Sequence, residues 1–256
     1  MKNKLLISVL IILSLSLITT NTYADEKLLI YSAAGLIKPM EEITDNFQKE
    51  YGIDMHLQFN GSGVLKNQIE TLKKGDIYIA ADNWYLSDLY KKSIIKSYHN
   101  IAEHTPVIIV PESNPGNINK FKDLLKPDKK LIVADPSAAI GKTTEEIFQK
   151  NNIKSEIEHN IISKAETVNK VRMYIIMNQA QAGIVWKANY HESKEKLRLV
   201  DIPKEKNVIK KISIGKLKFS DNKELAEKFI NFVLSEKSRK IFENWGYNIK
   251  IEQVKP

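Results

Sequence analysis

Residues 27–47, KLLIYSAAGLIKPMEEITDNF, pass from an apolar strand through four small residues straight into an amphipathic helix. Leu28 to Tyr31 read as a short buried strand. Leu36, Met40, Ile43 and Phe47 then recur at i, i+4, i+7 and i+11, the helical period. Pro39 falls in the first turn, where its missing N–H would have no intrahelical partner anyway. Between strand and helix, Ser32-Ala33-Ala34-Gly35 carries no bulk that would keep a ligand off the backbone amides. A helix N-terminus holds about half a positive charge, so the stretch can take an anion. Taken alone, it is also a plain strand-to-helix turn of an α/β protein.

The same design recurs along the chain. The strand 53–59 leads into Asn60-Gly61-Ser62-Gly63, and Leu65, Ile69 and Leu72 mark a second helix. Ser62 is placed either to cap that helix or to donate its hydroxyl to a bound oxyanion. A third strand, 76–81, precedes a helix over 84–92, with Asp82-Asn83 expected at its cap. At Thr105-Pro106 the pattern restarts with strand Val107 to Val110 and a Pro/Gly/Asn-rich connection over 111–119. Strand 131–134 then runs through Asp135-Pro136-Ser137-Ala138-Ala139-Ile140-Gly141 into another helix. Gly141-Lys142-Thr143 resembles the end of a phosphate loop, but that motif needs glycine where Pro136 stands. A fourth junction, Ala165-Glu166-Thr167-Val168, opens a helix carrying Val171 and Ile175, followed by strand Gly183 to Trp186. Trp186 ends a strand, where it either lines a cleft or packs in the core. The strand 208–217 leads to helices whose Leu225, Phe229, Phe232, Val233, Ile241 and Phe242 read as core. Regular alternation of strands and helices predicts parallel-rich sheets.

Composition narrows the function. The chain has 256 residues, no cysteine and a formal net charge of +8. Its lysines alternate with acids and form no arginine cluster with interleaved aromatics, so nucleic acid is not an expected partner. Lys2 and Lys4, the apolar run from Leu5 to Ile18, and Thr22-Tyr23-Ala24 read as a secretory signal peptide, residues 1–24, cleaved after Ala24. The apolar run is shorter than the ~20 residues of a membrane span. A soluble periplasmic protein is expected, without disulfides or thiolate chemistry.

Catalytic signatures are weak. His56, His99, His104, His159 and His191 show no zinc-type spacing, and each is expected on the surface or in a loop. Ser93-Ile94-Ile95-Lys96 matches SxxK without its partner motifs, and Gly61-Ser62-Gly63 lacks the glycine that GxSxG requires at position 60. No catalytic residue, metal cation or cofactor is predicted. A hydrolase using an unrecognised serine is the enzymatic alternative.

Taken in order, Tyr31-Ser32-Ala33-Ala34-Gly35-Leu36, Phe59-Asn60-Gly61-Ser62-Gly63, Asp135-Pro136 with Ile140-Gly141, Ala165-Glu166-Thr167-Val168 and Gly183-Ile184-Val185-Trp186 resemble the periplasmic molybdate-binding proteins of ABC importers. The resemblance covers nearly all of the mature chain. It implies an α/β, two-lobed periplasmic binding protein fold of type II-like architecture, with mixed, parallel-rich sheets flanked by helices. A tetrahedral oxyanion, molybdate or tungstate, would sit in the interlobe cleft, held by hydroxyls and helix-terminal N–H groups without a cationic side chain. By the resemblance, Ala34, Gly35, Ser62, Ile140, Val168 and Trp186 take the ligand-contact positions, and a membrane permease is the partner of a monomeric receptor. The family usually has a serine at position 35 and a tyrosine at position 186, and this chain has Gly35 and Trp186 there. A receptor or adhesin of the same fold for a small organic or other inorganic anion is the alternative. Lobe one is expected to hold residues 25–105 and 213–256, lobe two residues 106–212, with the crossings acting as a hinge.

Overall fold

The computed structural model describes residues 27–136 and 138–254. The expected signal peptide, 1–24, lies outside the described residues. Strand β1 (Lys27–Ala33) extends through the small residues, and a 3-10 turn, Ala34–Leu36, then feeds helix α1 (Ile37–Tyr51). The periodicity gives α1 its buried face, Met40, Ile43 and Phe47, and Gly52 closes it in the left-handed conformation. The pattern repeats through β2 (Asp54–Asn60), α2 (Ser62–Leu72), β3 (Ile77–Ala80) and α3 (Asn83–Lys91). Strand β4 (Ile95–His104) follows, and after the single residue Thr105 the chain begins β5 (Pro106–Pro111) in a different sheet.

That second sheet is completed by β6 (Leu131–Ala134), α4 (Ala139–Lys150), α5 (Lys154–Glu158), β7 (Ile161–Ala165), α6 (Val168–Ile176), β8 (Ala182–Trp186), α7 (Lys187–His191) and β9 (Leu197–Val200). Its strand order is β7-β6-β8-β5-β9. The chain rejoins the first sheet through β10 (Lys210–Leu217), and α8 (Lys223–Leu234), α9 (Glu236–Asn244) and β11 (Asn248–Val254) finish it. The first sheet runs β11-β4-β10-β3-β1-β2. β1, β2 and β3 are mutually parallel, whereas β10 and β11 pair antiparallel. Both sheets are thus mixed and helix-covered, as the strand-helix alternation predicts for an α/β protein, and they form the two lobes that the family resemblance implies.

Alternation along β1 distributes its side chains to two cores. Leu28 and Ile30 pack with Met40, Phe47, Ile77 and Phe229 on one face, and Tyr31 packs with Leu65, Ile69, Tyr78 and Leu86 on the other. Each such side chain contributes about 1.5–3 kcal/mol by leaving water. The second lobe has its own core around Ile108, Ile132, Ile147, Ile175 and Ile184. Two segments cross between the lobes, Thr105 and 201–209. Asn207 ties them together by donating to the Pro106 carbonyl at 2.9 Å. Helix α7 also bridges: Ala188 packs into the first lobe's core, and the His191 ring lies against Gly246, whose φ of +82° and lack of a side chain permit the approach.

Gly141 explains why the phosphate-loop pattern was deceptive. It sits inside α4, not in a loop, and a Cβ there would stand 2.0 Å from the Asp135 carbonyl oxygen. Glycine lets the helix start lie directly on the end of β6. Gly141→Ala should therefore lower stability by about 1–3 kcal/mol in urea titration, because overpacking against backbone outweighs the gain of about 1 kcal/mol in helix propensity. A rise in stability would contradict this packing.

Candidate functional site

In open α/β sheets, ligands bind outside the carboxyl ends of the parallel strands. Here β1, β2 and β3 end at Ala33, Asn60 and Ala80, and β6, β7 and β8 end at Ala134, Ala165 and Trp186. The two sets of ends share a cavity of about 180 Å³, with Ser62, Ala81 and Asp82 on one wall and Ala139, Thr143 and Trp186 on the other. The cavity is therefore interlobar. A larger hollow of about 330 Å³, bordered by Lys96, Lys216 and Lys218, lies at the opposite end of β10.

Ser62 does not cap its helix. The cap position belongs to Gly61, and no side chain caps the helix there. Instead the Ser62 hydroxyl oxygen accepts from the Ala81 N–H at 3.2 Å, while its carbonyl accepts from the Tyr78 hydroxyl at 2.6 Å. Burial pushes the Tyr78 phenol well above its ordinary pKa, so that hydroxyl remains a donor. With its oxygen receiving one bond, the Ser62 hydroxyl has its own proton to give a ligand. Helix α4 likewise starts behind Ala138 without a side-chain cap, whereas α6 is capped by Thr167, which accepts from the Lys170 N–H. Two helix starts at the cavity thus keep side-chain-free amides.

Ser62 and Trp186 line the cavity; Ala34, Gly35, Ile140 and Val168 are not among its lining residues. Ala34 and Gly35 are exposed in the 3-10 turn, and the Gly35 carbonyl accepts from the Tyr247 hydroxyl at 2.8 Å. Ile140 directs its side chain into the second core and can offer a ligand only its backbone. Val168 is half-buried against that same core.

His104 corrects the surface expectation. It ends β4, is 2 % exposed, and stacks on Trp186 with ring centroids 3.7 Å apart and planes 19° apart. Neither ring nitrogen makes a well-formed hydrogen bond, and the Ala81 backbone is the polar group that reaches the ring. Burial drives its pKa down to about 3, offset only in part by the Ala81 backbone. The other four histidines are exposed or half-buried. The clue in the sequence was position: His104 immediately precedes the Thr105-Pro106 restart, and a lobe crossing forms the floor of a cleft.

Two lysines also line the cavity, Lys142 and Lys210, a departure from the cation-free site that the resemblance implied. Lys210 joins the lobes, reaching Asp82 at 3.3 Å and Glu146 at 2.6 Å. Burial opposes its charge, but the Glu146 hydrogen bond and the Asp82 carboxylate outweigh it and raise its pKa. Asp82 also caps α3, as expected, accepting from the Trp84 N–H at 3.0 Å. At the mouth stands Trp84, 58 % exposed, with the Lys66 and Lys142 ammonium groups 5.8 and 6.0 Å from its ring. Among the described residues, no group of three or more acidic, His or Cys ligands comes together, and no helix is long and apolar enough to cross a membrane.

Residues 28–248 match the family described as bacterial extracellular solute-binding protein. The chain belongs to this family. A Haemophilus influenzae chain described only as a binding protein is 27% identical, covering 90% of this chain and 94% of the relative. The molybdate-binding protein ModA of Mycobacterium tuberculosis is 26% identical, covering 88% and 86% respectively. Among solved structures, a Clostridium difficile substrate-binding domain assigned to molybdenum ABC transport superposes with a TM-score of 0.75 at 24% identity, covering 87% of this chain and 98% of that one. A likeness at that identity establishes the fold, and the motif resemblance to molybdate-binding proteins is matched by these relatives.

His104 gives the solute-binding fold a measurable pH signature. An unfolded histidine titrates near 6.5, so below that pH the unfolded chain takes up a proton that the folded chain refuses. Stability is complete above about pH 6.5 and falls as pH drops toward 3, by at most about 1.4 kcal/mol per pH unit. In ligand-free protein, His104→Gln should flatten the melting temperature between pH 7 and 5. An unchanged slope would mean that another group carries the dependence.

Proposed function

We propose that this protein is a periplasmic receptor, released by cleavage after Ala24, that captures a tetrahedral oxyanion in the interlobe cleft and delivers it to the permease of an ABC importer. Molybdate, with tungstate beside it, is the first candidate cargo. The observation that carries this reading is Ser62: a buried hydroxyl at the uncapped start of α2, its oxygen occupied by Ala81 and its proton left for a ligand. The molybdate-binding relatives support the choice of anion. The receptor acts as a monomer whose lobes, residues 25–105 with 213–256 and residues 106–212, close by a hinge at the crossings, and the closed form docks on the permease. It binds and releases its cargo without chemical change.

The exposed Trp84 with Tyr85 and Lys142 at the mouth of the cleft favours a second reading, a ligand with an oxyanion head and a small organic tail. Calorimetry with molybdate, tungstate, sulfate, phosphate and a small phosphomonoester separates the two. Ser62→Ala should weaken the preferred anion roughly 10- to 150-fold, the value of one hydrogen bond to a charged group. It should also lower apo stability by about 1–3 kcal/mol, because the Ala81 N–H loses its buried acceptor. Lowered stability with unchanged affinity would leave Ser62 only its bond to Ala81, and the absence of binding to any member of the panel would defeat the oxyanion reading.

A further inference from the structure

We propose that His104 is a specificity-determining ligand contact whose Nε2–H donates to the captured anion from the place where a side chain at position 35 would otherwise stand. The inference rests on the reading of the cleft as an oxyanion site. Its first support is that the imidazole is almost wholly buried and yet neither nitrogen makes a well-formed hydrogen bond, with the Ala81 backbone as its polar neighbour. His104 does not itself line the cavity, but it lies against Ala81 and Trp186, which do. Buried polar groups are nearly always satisfied, so an under-satisfied ring behind the cavity wall points to a partner that arrives with the ligand. The second support is direction. A Cβ built on Gly35 would meet only this ring, with Cε1 at 3.7 Å and Nε2 at 4.0 Å, so the buried Cε1–Nε2 edge faces the 3-10 turn after β1. The first loop's usual serine would project into that space. With glycine there, the hydroxyl is gone, and the side chain nearest the vacated position is that of His104.

The neighbours hold the ring, and apart from the Ala81 backbone none satisfies it. Trp186 stacks on one face, and Tyr247, with its centroid 5.8 Å away, gives its hydroxyl to the Gly35 carbonyl. Lys210, opposite His104 in the β4 and β10 register, is bound to Asp82 and Glu146. Lys187 and His191 follow Trp186 on α7. An uncharged imidazole offers one N–H donor, the same capacity that the missing hydroxyl had. Position is fixed from both lobes, since β4 ends at His104 and the ring rests on the last residue of β8.

Calorimetry with molybdate on four variants tests this. His104→Phe keeps the stacked ring and removes both nitrogens; His104→Gln places an amide nitrogen near Nε2; His104→Asn places it near Nδ1. Phe and Asn should weaken molybdate binding roughly 10- to 150-fold, and Gln should stay within a few-fold of the wild type. Gly35→Ser in the His104→Phe background should recover part of the loss, because its Cβ fits at ordinary contact distance. In the unsubstituted protein, the His104 Nε2–H resonance should shift downfield when molybdate is added, as expected for a new hydrogen bond to the anion. Wild-type affinity in His104→Phe, or equal losses in Phe and Gln, would overturn the inference while leaving the oxyanion reading intact. If the wild type binds no anion, that reading fails first and this one with it.

Discussion

Backbone amides at the start of a helix need partners, and the cleft depends on two helix starts that this chain leaves without side-chain caps. Gly61 precedes α2 and Ala138 precedes α4, and neither has a side chain able to accept. A serine or aspartate at those positions would stabilise each helix by about 1 kcal/mol and would fill the space a ligand needs. Other starts are capped by side chains: Asp82 for α3, which also lies on the cavity wall, Thr167 for α6 and Ser235 for α9. Stability withheld at the cavity wall becomes affinity when an anion arrives, since charge and hydrogen bonding then act together at the helix ends.

Everything that places those ends follows from parallel pairing. β1 to β3 and β6 to β8 each direct their carboxyl ends to one edge of a sheet, and the short crossing at Thr105 turns the two edges toward each other. Asn207 ties the second crossing to Pro106, and Lys210 spans from Asp82 to Glu146. Helix α7 and the His104–Trp186 stack add further contacts between the lobes, while each lobe keeps its own core. The Lys210 side chain is largely shielded from water, and its ion pairs with Asp82 and Glu146 depend on the lobes being together.

Much of this was legible in the residues. The periods at Leu36, Met40, Ile43 and Phe47 and at Leu65 and Ile69 gave the helices, and small residues between strand and helix marked the junctions. Ser62 and Trp186 stand at the cavity because chain order alone puts them at strand ends. What escaped depended on contacts between distant segments. His104 has no local signature of burial; it is covered by Trp186 and Tyr247, 82 and 143 positions later in the chain. Gly141 looks like part of a loop until the Asp135 carbonyl beneath it is known. Lys210 appears as one of many lysines, and only the fold brings Asp82 and Glu146 to it.

The central claim is that the anion lies where the two sets of strand ends meet. Diffraction from crystals grown with tungstate, recorded at the tungsten absorption edge, locates the ion directly. The account predicts one strong anomalous peak between Ser62 and Trp186, within hydrogen-bond reach of the Ser62 hydroxyl. A peak instead in the lysine-bordered hollow beside Lys96 and Lys216, with none between the lobes, would contradict it.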